Sequence, residues 1–208
     1  MRGFVRGLIW LAVICGALGV LAHLFLVEAW RVPHGDNQFP ASIAPTLAVE
    51  DLVLVRRNGP LAVGELARCA SPRDGSYVIG RVFGVPGDHV EVVNDRVTTN
   101  GKPLGASHAC PLVMLPHPIT QNLVKLSCGV AETGAWTFQY LTLPENGTSG
   151  RSQADVEPGK VYLLSDNRVM HDDSRDFGQV DLAGCQHVVY RLWGEKYADD
   201  SRRFNLLW

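Results

Sequence analysis

The strongest pattern along the chain is an apolar run near its start. From Leu8 to Val27, "LIWLAVICGALGVLAHLFLV", one polar side chain, His23, interrupts the run. Its apolar character extends all the way round a helix, which a core helix with one buried face does not need. At about 1.5 Å per residue the run matches a bilayer core of about 30 Å. Arg2 and Arg6 precede it, so the positive-inside rule puts the N-terminus in the cytoplasm and the rest outside. Trp30 and Arg31 close it in the manner of interfacial anchors. The expectation is a cytoplasmic segment over 1–7 and an uncleaved anchor over 8–30. The alternative is a signal peptide cleaved near Val27-Glu28-Ala29, for which the apolar core is long.

Beyond the anchor the period shortens to that of strands. "DLVLV" (51–55) is an apolar run, and "YVIGRVFGV" (77–85) is β-rich and stopped by Pro86-Gly87. "HVEVV" (89–93) alternates, Asn94-Asp95 offers a turn, and "RVTTN" (96–100) returns. "AWTFQYLTL" (135–143), "VYLLS" (161–165) and "HVVYRLW" (187–193) read the same way. No long helical period follows the anchor, so the remainder is expected to be mostly β. Residues 101–159 are richer in turn formers and are read as an inserted smaller lobe between core parts 31–100 and 160–208. Asn146-Gly147-Thr148 has the form of a glycosylation sequon, a tripeptide that chance supplies easily.

Composition narrows the partners. With 208 residues, 46% hydrophobic and 19% charged, the chain can bury one moderate core. The net charge of −2 and the lack of a basic run argue against nucleic acid. Cys15 lies in the apolar run, and Cys69, Cys110, Cys128 and Cys185 lie beyond it, where three pairings are open. Cys110–Cys128 is favoured because the two flank a proline-rich segment; free buried thiols are the alternative. No Cys-x-x-Cys exists, which argues against zinc.

Three clusters carry candidate chemistry. They are Ser42-Ile43-Ala44-Pro45-Thr46, Arg81-Val82-Phe83-Gly84-Val85-Pro86-Gly87-Asp88, and "SDNRVMHDDSRDFG" from Ser165 to Gly178. In this order, behind one anchor, they resemble the type I signal peptidases from about Phe39 to Trp193, apart from the insertion. The resemblance implies a mostly-β core and cleavage of signal-peptide-bearing precursors at the outer face of the bacterial inner (plasma) membrane. It also implies an extended substrate with small residues one and three positions before the cut, contact with membrane lipid, and no metal or organic cofactor. It makes Ser42 the nucleophile and gives Arg81, Asp166, Asp173, Ser174 and Arg175 supporting places around it. Structural ion pairing is the plainer role for the charged four, and Asp88 ends a turn.

The chain also departs from that family. Gly80 stands where the family has its lysine base, and Arg81 stays protonated. The four lysines, Lys102, Lys125, Lys160 and Lys196, lie elsewhere. Pro40 replaces a residue whose hydroxyl helps hold the oxyanion in many members, which leaves the Ser42 amide as a donor. Ile43 replaces methionine, and Ser165 replaces glycine. His171 stands where the family has a serine beside its lysine. A cavity left by Gly80 could admit the His171 imidazole as a relocated base, oriented by Asp172 or Asp173. Two readings follow. One is a signal-peptide-removing serine endopeptidase using Ser42 and His171. The other is a catalytically inactive relative that binds or assembles exported or surface proteins.

Overall fold

The computed structural model describes residues 2–36, 38–57, 59–134, 136–144, 150–194 and 203–207. The sequon at 146–148 lies outside them. Helix α1 runs from Arg2 to Phe25, and its window Phe4–Leu21 is long and apolar enough to cross a membrane, with none of it buried. The helix starts before the expected span and ends before it. Val27–Arg31 form strand β1, paired with β2 (Leu52–Arg56). Trp30 and Arg31 are therefore not part of the helix. Trp30 packs against the core and lies edge-on to Tyr77 at 5.5 Å, with the Arg68 guanidinium over its face.

The rest is mostly β, as expected. Among the described residues a large sheet has the order β1, β2, β14 (Gln186–Trp193), β3 (Leu66–Ala70), β4 (Tyr77–Gly84), β12 (Lys160–Leu164) and β13 (Val180–Asp181). A short strand β15 (Asn205–Leu206) pairs with β14. Strand β4 is buried from Val78 to Gly84 because both of its faces are covered. Ile79 belongs to a cluster with Phe39, Ile43 and Leu47, whereas Val78 and Val82 belong to one with Leu163 and Val180. A helical turn, α2 (Phe39–Ser42), is thus held on one side of this strand.

The expected boundary at residue 100 divides a sheet. Strands β5 (His89–Val93) and β6 (Arg96–Thr99) join β7 (Lys102–Pro103) and β11 (Arg151–Asp155) in the order β11, β5, β6, β7. The β5–β6 turn is made by Asn94 and Asp95, both at positive φ, 47° and 63°, which such a two-residue hairpin requires. A separate sheet contains β8 (Gly105–Pro116), β9 (Leu123–Thr133) and β10 (Trp136–Thr142). Its Ala131 and Phe138 share a core with Phe83, Val90 and Tyr162. Strands β8, β9 and β10 thus form a sheet of their own that packs on the core, while 102–103 and 151–155 complete a sheet begun by β5 and β6. Disulfides join Cys110 to Cys128 across β8 and β9, the favoured pairing, and Cys69 on β3 to Cys185.

Candidate active site

Ser42 closes α2, with Pro40 in the first turn, a position where a missing N–H costs nothing. The turn is pinned from two sides: Phe39 and Ile43 enter the main core, and Ala41 and Ala44 pack with Leu126, Cys128 and Met170. Ser42 is 1% exposed. Its Oγ donates to the Phe39 carbonyl at 2.9 Å, and its amide donates to the Gln38 carbonyl at 3.0 Å. The amide expected to serve as an oxyanion donor is therefore engaged within its own turn.

The segment after β12 docks on this turn. The Asn167 side chain donates to the Ala41 carbonyl at 2.9 Å, and its amide donates to the Ser42 carbonyl at 3.3 Å. Gln38 Nε2 donates to the His171 carbonyl at 3.0 Å. Asp166, 3% exposed, takes the fork of the fully buried Arg81, with Nε at 2.9 Å and Nη2 at 2.8 Å. It also accepts the Thr46 hydroxyl at 2.5 Å, and Arg191 donates to the Thr46 carbonyl at 2.7 Å. The first and third clusters are thus tied directly, and the second joins them through Arg81.

Asp173 caps α3 (Ser174–Phe177) in a reciprocal box with Asp176. Burial works against its charge, but the Arg175 fork and the Ser165 amide outweigh burial and hold its carboxyl below the usual range. Ser174 is buried, and its Oγ accepts the Leu163 amide at 2.9 Å. Arg168 is fully buried with its guanidinium 4.7 Å from the Phe83 ring, and burial pulls its pKa to about 10, so it remains a cation at neutral pH.

His171 is half-buried, and its Nδ1 lies 2.7 Å from Asp176 Oδ2. Its acidic partner is therefore Asp176, not Asp172 or Asp173: Asp172 takes Arg73 at 2.9 Å and Asp173 takes Arg175. No hydrogen bond joins His171 to Ser42 among the described residues. The cavity expected at Gly80 is filled as well. A Cβ there would lie 3.0 Å from Leu163 Cβ and 3.3 Å from the Leu164 carbonyl oxygen. Ligand atoms of His171, Asp173 and Asp176 lie within 4.8 Å of one another, but capping and ion-pair contacts account for them.

A groove of about 1230 Å³ opens beside the Ser42 turn. Pro40 and the segment from Ala44 to Val49 line it on one side, and Val113 and Leu115 of β8 contribute apolar surface. Asn167, Gln38 and Asp176 were not singled out from the sequence. Asn167 sits inside a quoted cluster, whereas the Gln38 side chain meets His171 only through the folding of residues 133 apart.

The family comparison decides the assignment. The signal peptidase family, peptidase S26, matches residues 5–189. This chain belongs to the signal peptidase family. It is 32% identical over 172 residues to signal peptidase IB of Staphylococcus aureus strain Mu50, covering 79% of this chain and 78% of that protein. It is 30% identical over 107 residues to signal peptidase I V of Bacillus subtilis strain 168, covering 51% and 52%. A crystal structure of a signal peptidase I from Enterococcus faecalis is 26% identical and covers 63% of this chain and 97% of that one, with a TM-score of 0.38. At the level of this family the activity is that of a peptidase that removes signal peptides.

A second histidine is a stability element. His187 on β14 is 5% exposed, stands edge-on to Trp136 at 5.8 Å, and makes no ring hydrogen bond among the described residues. Glu65 lies 3.4 Å from Nδ1 without hydrogen-bonding geometry, so burial, aided by Arg56 and Arg81, lowers the pKa from 6.5 to about 4. The folded state therefore resists a proton that the unfolded chain accepts. Stability is full above about pH 6.5, falls between about 6.5 and 4, and levels off below, with a loss of up to about 3 kcal/mol. Urea unfolding across pH checks this: His187→Phe should flatten the curve in that window, and parallel curves would contradict it.

Proposed function

We propose that this protein is a membrane-anchored serine endopeptidase that removes signal peptides from exported proteins. In this reading α1 crosses the membrane with its N-terminus in the cytoplasm, and the β domain works outside. Ser42 is the nucleophile, and the usual lysine is replaced in role, not in place, because Gly80 offers no side chain. The observation that carries the reading is the docking of the Asn167 to His171 segment on the Ser42 turn through Ala41, Ser42 and Gln38.

His171 is the proposed base. Its Nδ1 is held by Asp176, which leaves Nε2 to accept a proton, the arrangement in which a carboxylate fixes imidazole tautomer and orientation. In the reaction the Ser42 hydroxyl turns away from the Phe39 carbonyl and gives its proton to His171. Oγ then bonds to the scissile carbonyl carbon, the leaving amine takes the proton as the C–N bond breaks, and water hydrolyses the ester. Contacts of this kind tighten when substrate binds, so a resting hydroxyl directed elsewhere is compatible with the role. Arg81, Asp166, Asp173, Ser174 and Arg175 act as positioning residues.

The expected result for His171→Ala is a fall in kcat of about 10²–10⁴-fold. Asp176→Asn should give a smaller loss. Cleavage kinetics between pH 5 and 10 check both. Full activity in His171→Ala would remove it as the base and leave Ser42 untouched.

The second reading, an inactive relative that binds exported or surface proteins, is favoured by one feature. Both the hydroxyl and the amide of Ser42 are engaged within α2. Precursor that binds wild-type protein and is not cut at any pH from 6 to 10 would establish that reading in place of the first.

A further inference from the structure

The family match ends at residue 189, yet six groove-lining residues lie beyond it: Tyr190, Arg191, Phe204, Asn205, Leu206 and Leu207. Tyr190 and Arg191 lie on β14, and Phe204 to Leu207 run along it with Asn205 and Leu206 as β15. Tyr190 stands opposite Leu206, and Arg191 opposite Asn205. The Phe204 amide donates to the Leu192 carbonyl at 3.0 Å, and the Leu207 amide to the Val189 carbonyl at 3.0 Å. The Tyr190 hydroxyl donates to the Phe204 carbonyl at 2.6 Å. Leu207 is 6% exposed and shares its cluster with Phe39, Ile43 and Leu47, the apolar residues on either side of Ser42.

Two side chains of this segment are presented outward. Phe204 is 60% exposed and Leu206 is 43% exposed, and both line the groove. Phe204 takes a φ of 54°, a left-handed conformation that a bulky residue adopts only when its surroundings impose it. Here its amide and carbonyl are bonded to Leu192 and Tyr190, and the ring rests edge-on against Trp193 at 6.3 Å. The same groove is lined by Val49, Val113 and Leu115, so apolar surface comes from three separate parts of the chain. An extended peptide with apolar side chains complements such a groove, and its volume exceeds the usual small-ligand range of about 300–1,000 Å³.

We propose that the C-terminal segment Phe204–Leu207 forms one wall of the peptide groove, with Phe204 and Leu206 receiving apolar side chains of an extended precursor. Leu207 anchors the wall to the core that carries the Ser42 turn. The proposal rests on the reading that the groove takes precursor, and it assigns substrate discrimination to residues outside the family match.

The test uses full-length protein in detergent micelles carrying Ser42→Ala, so that bound peptide is not consumed. The probe is a fluorescent peptide spanning the end of a signal peptide and the first mature residues. A second peptide has its apolar residues near the cut replaced by serine. Phe204→Ser with Leu206→Ser should weaken the apolar peptide about tenfold and leave the serine peptide unchanged. Thermal unfolding identifies any loss due to misfolding. A photoreactive phenylalanine analogue at position 204 should crosslink to the peptide in the otherwise unaltered strand. Equal affinities together with no peptide adduct would overturn the proposal. Tighter binding by the double variant would also overturn it and make the segment an occluding strap. If neither peptide binds and wild-type protein cuts no precursor, the reading of the groove itself fails, and this proposal fails with it.

Discussion

Ser42→Ala should lower precursor cleavage by at least about a thousandfold, because it removes the hydroxyl proposed to form the acyl intermediate. The fold should barely register the change. Among the described residues the Ser42 side chain makes one hydrogen bond, to the Phe39 carbonyl, so its loss costs about 1 kcal/mol. The turn keeps the Ser42 and Ile43 amide bonds and the grip of Asn167. Single-turnover cleavage measured beside urea unfolding separates the two effects. Wild-type rates in Ser42→Ala would assign the chemistry to another residue.

Asp166→Ala should have the largest effect on stability. The carboxylate receives two bonds from Arg81 and one from Thr46, and Arg81 has no exposed surface. Breaking a buried pair from one side leaves an uncompensated charge, which costs about 3–5 kcal/mol. The cost should lie at the upper end because Arg168, also fully buried, finds no hydrogen-bond partner for its guanidinium among the described residues and gains favourable field from Asp166. Arg81 would retain its bond to the Gly64 carbonyl at 2.8 Å. Asp166→Asn, which keeps the shape and an acceptor, should cost less. Urea midpoints read both values, and a loss below about 1 kcal/mol in Asp166→Ala would show that the pair contributes little.

Much of the sheet was legible in the sequence, for identifiable reasons. The hairpin at Asn94-Asp95 and strands β4, β12 and β14 carry apolar or alternating runs bounded by turn chemistry, and they form close to where the pattern puts them. Strand β3, "LARCA", gives no alternation because it is buried on both faces, and its arginine is paired within the fold. Strand β8 contains Pro111, which reads as a loop; the pairing register shifts between Cys110 and Val113, where a proline is tolerated. The apolar run of α1 hides its own end, because Val27 and Trp30 are as apolar as a helix needs yet pair as a strand.

The site was legible as three clusters but not as a constellation. Hydrogen bonds from Arg81, Thr46 and Asn167 bring the clusters together. What the pattern could not convey is direction. Whether position 80 leaves a void depends on how close Leu163 and Leu164 come, and they come close enough to fill it. Whether His171 meets Asp172, Asp173 or Asp176 depends on the capping box of α3, a local geometry that also decides where its ring nitrogens point.

The most direct measurement is cleavage of a signal-peptide-bearing precursor by purified full-length protein in liposomes, with the new N-terminus read by mass spectrometry. The account predicts one cut, after a small residue at the end of the signal peptide, lost in Ser42→Ala. Precursor that stays intact while bound, or is cut equally well by Ser42→Ala, would contradict it.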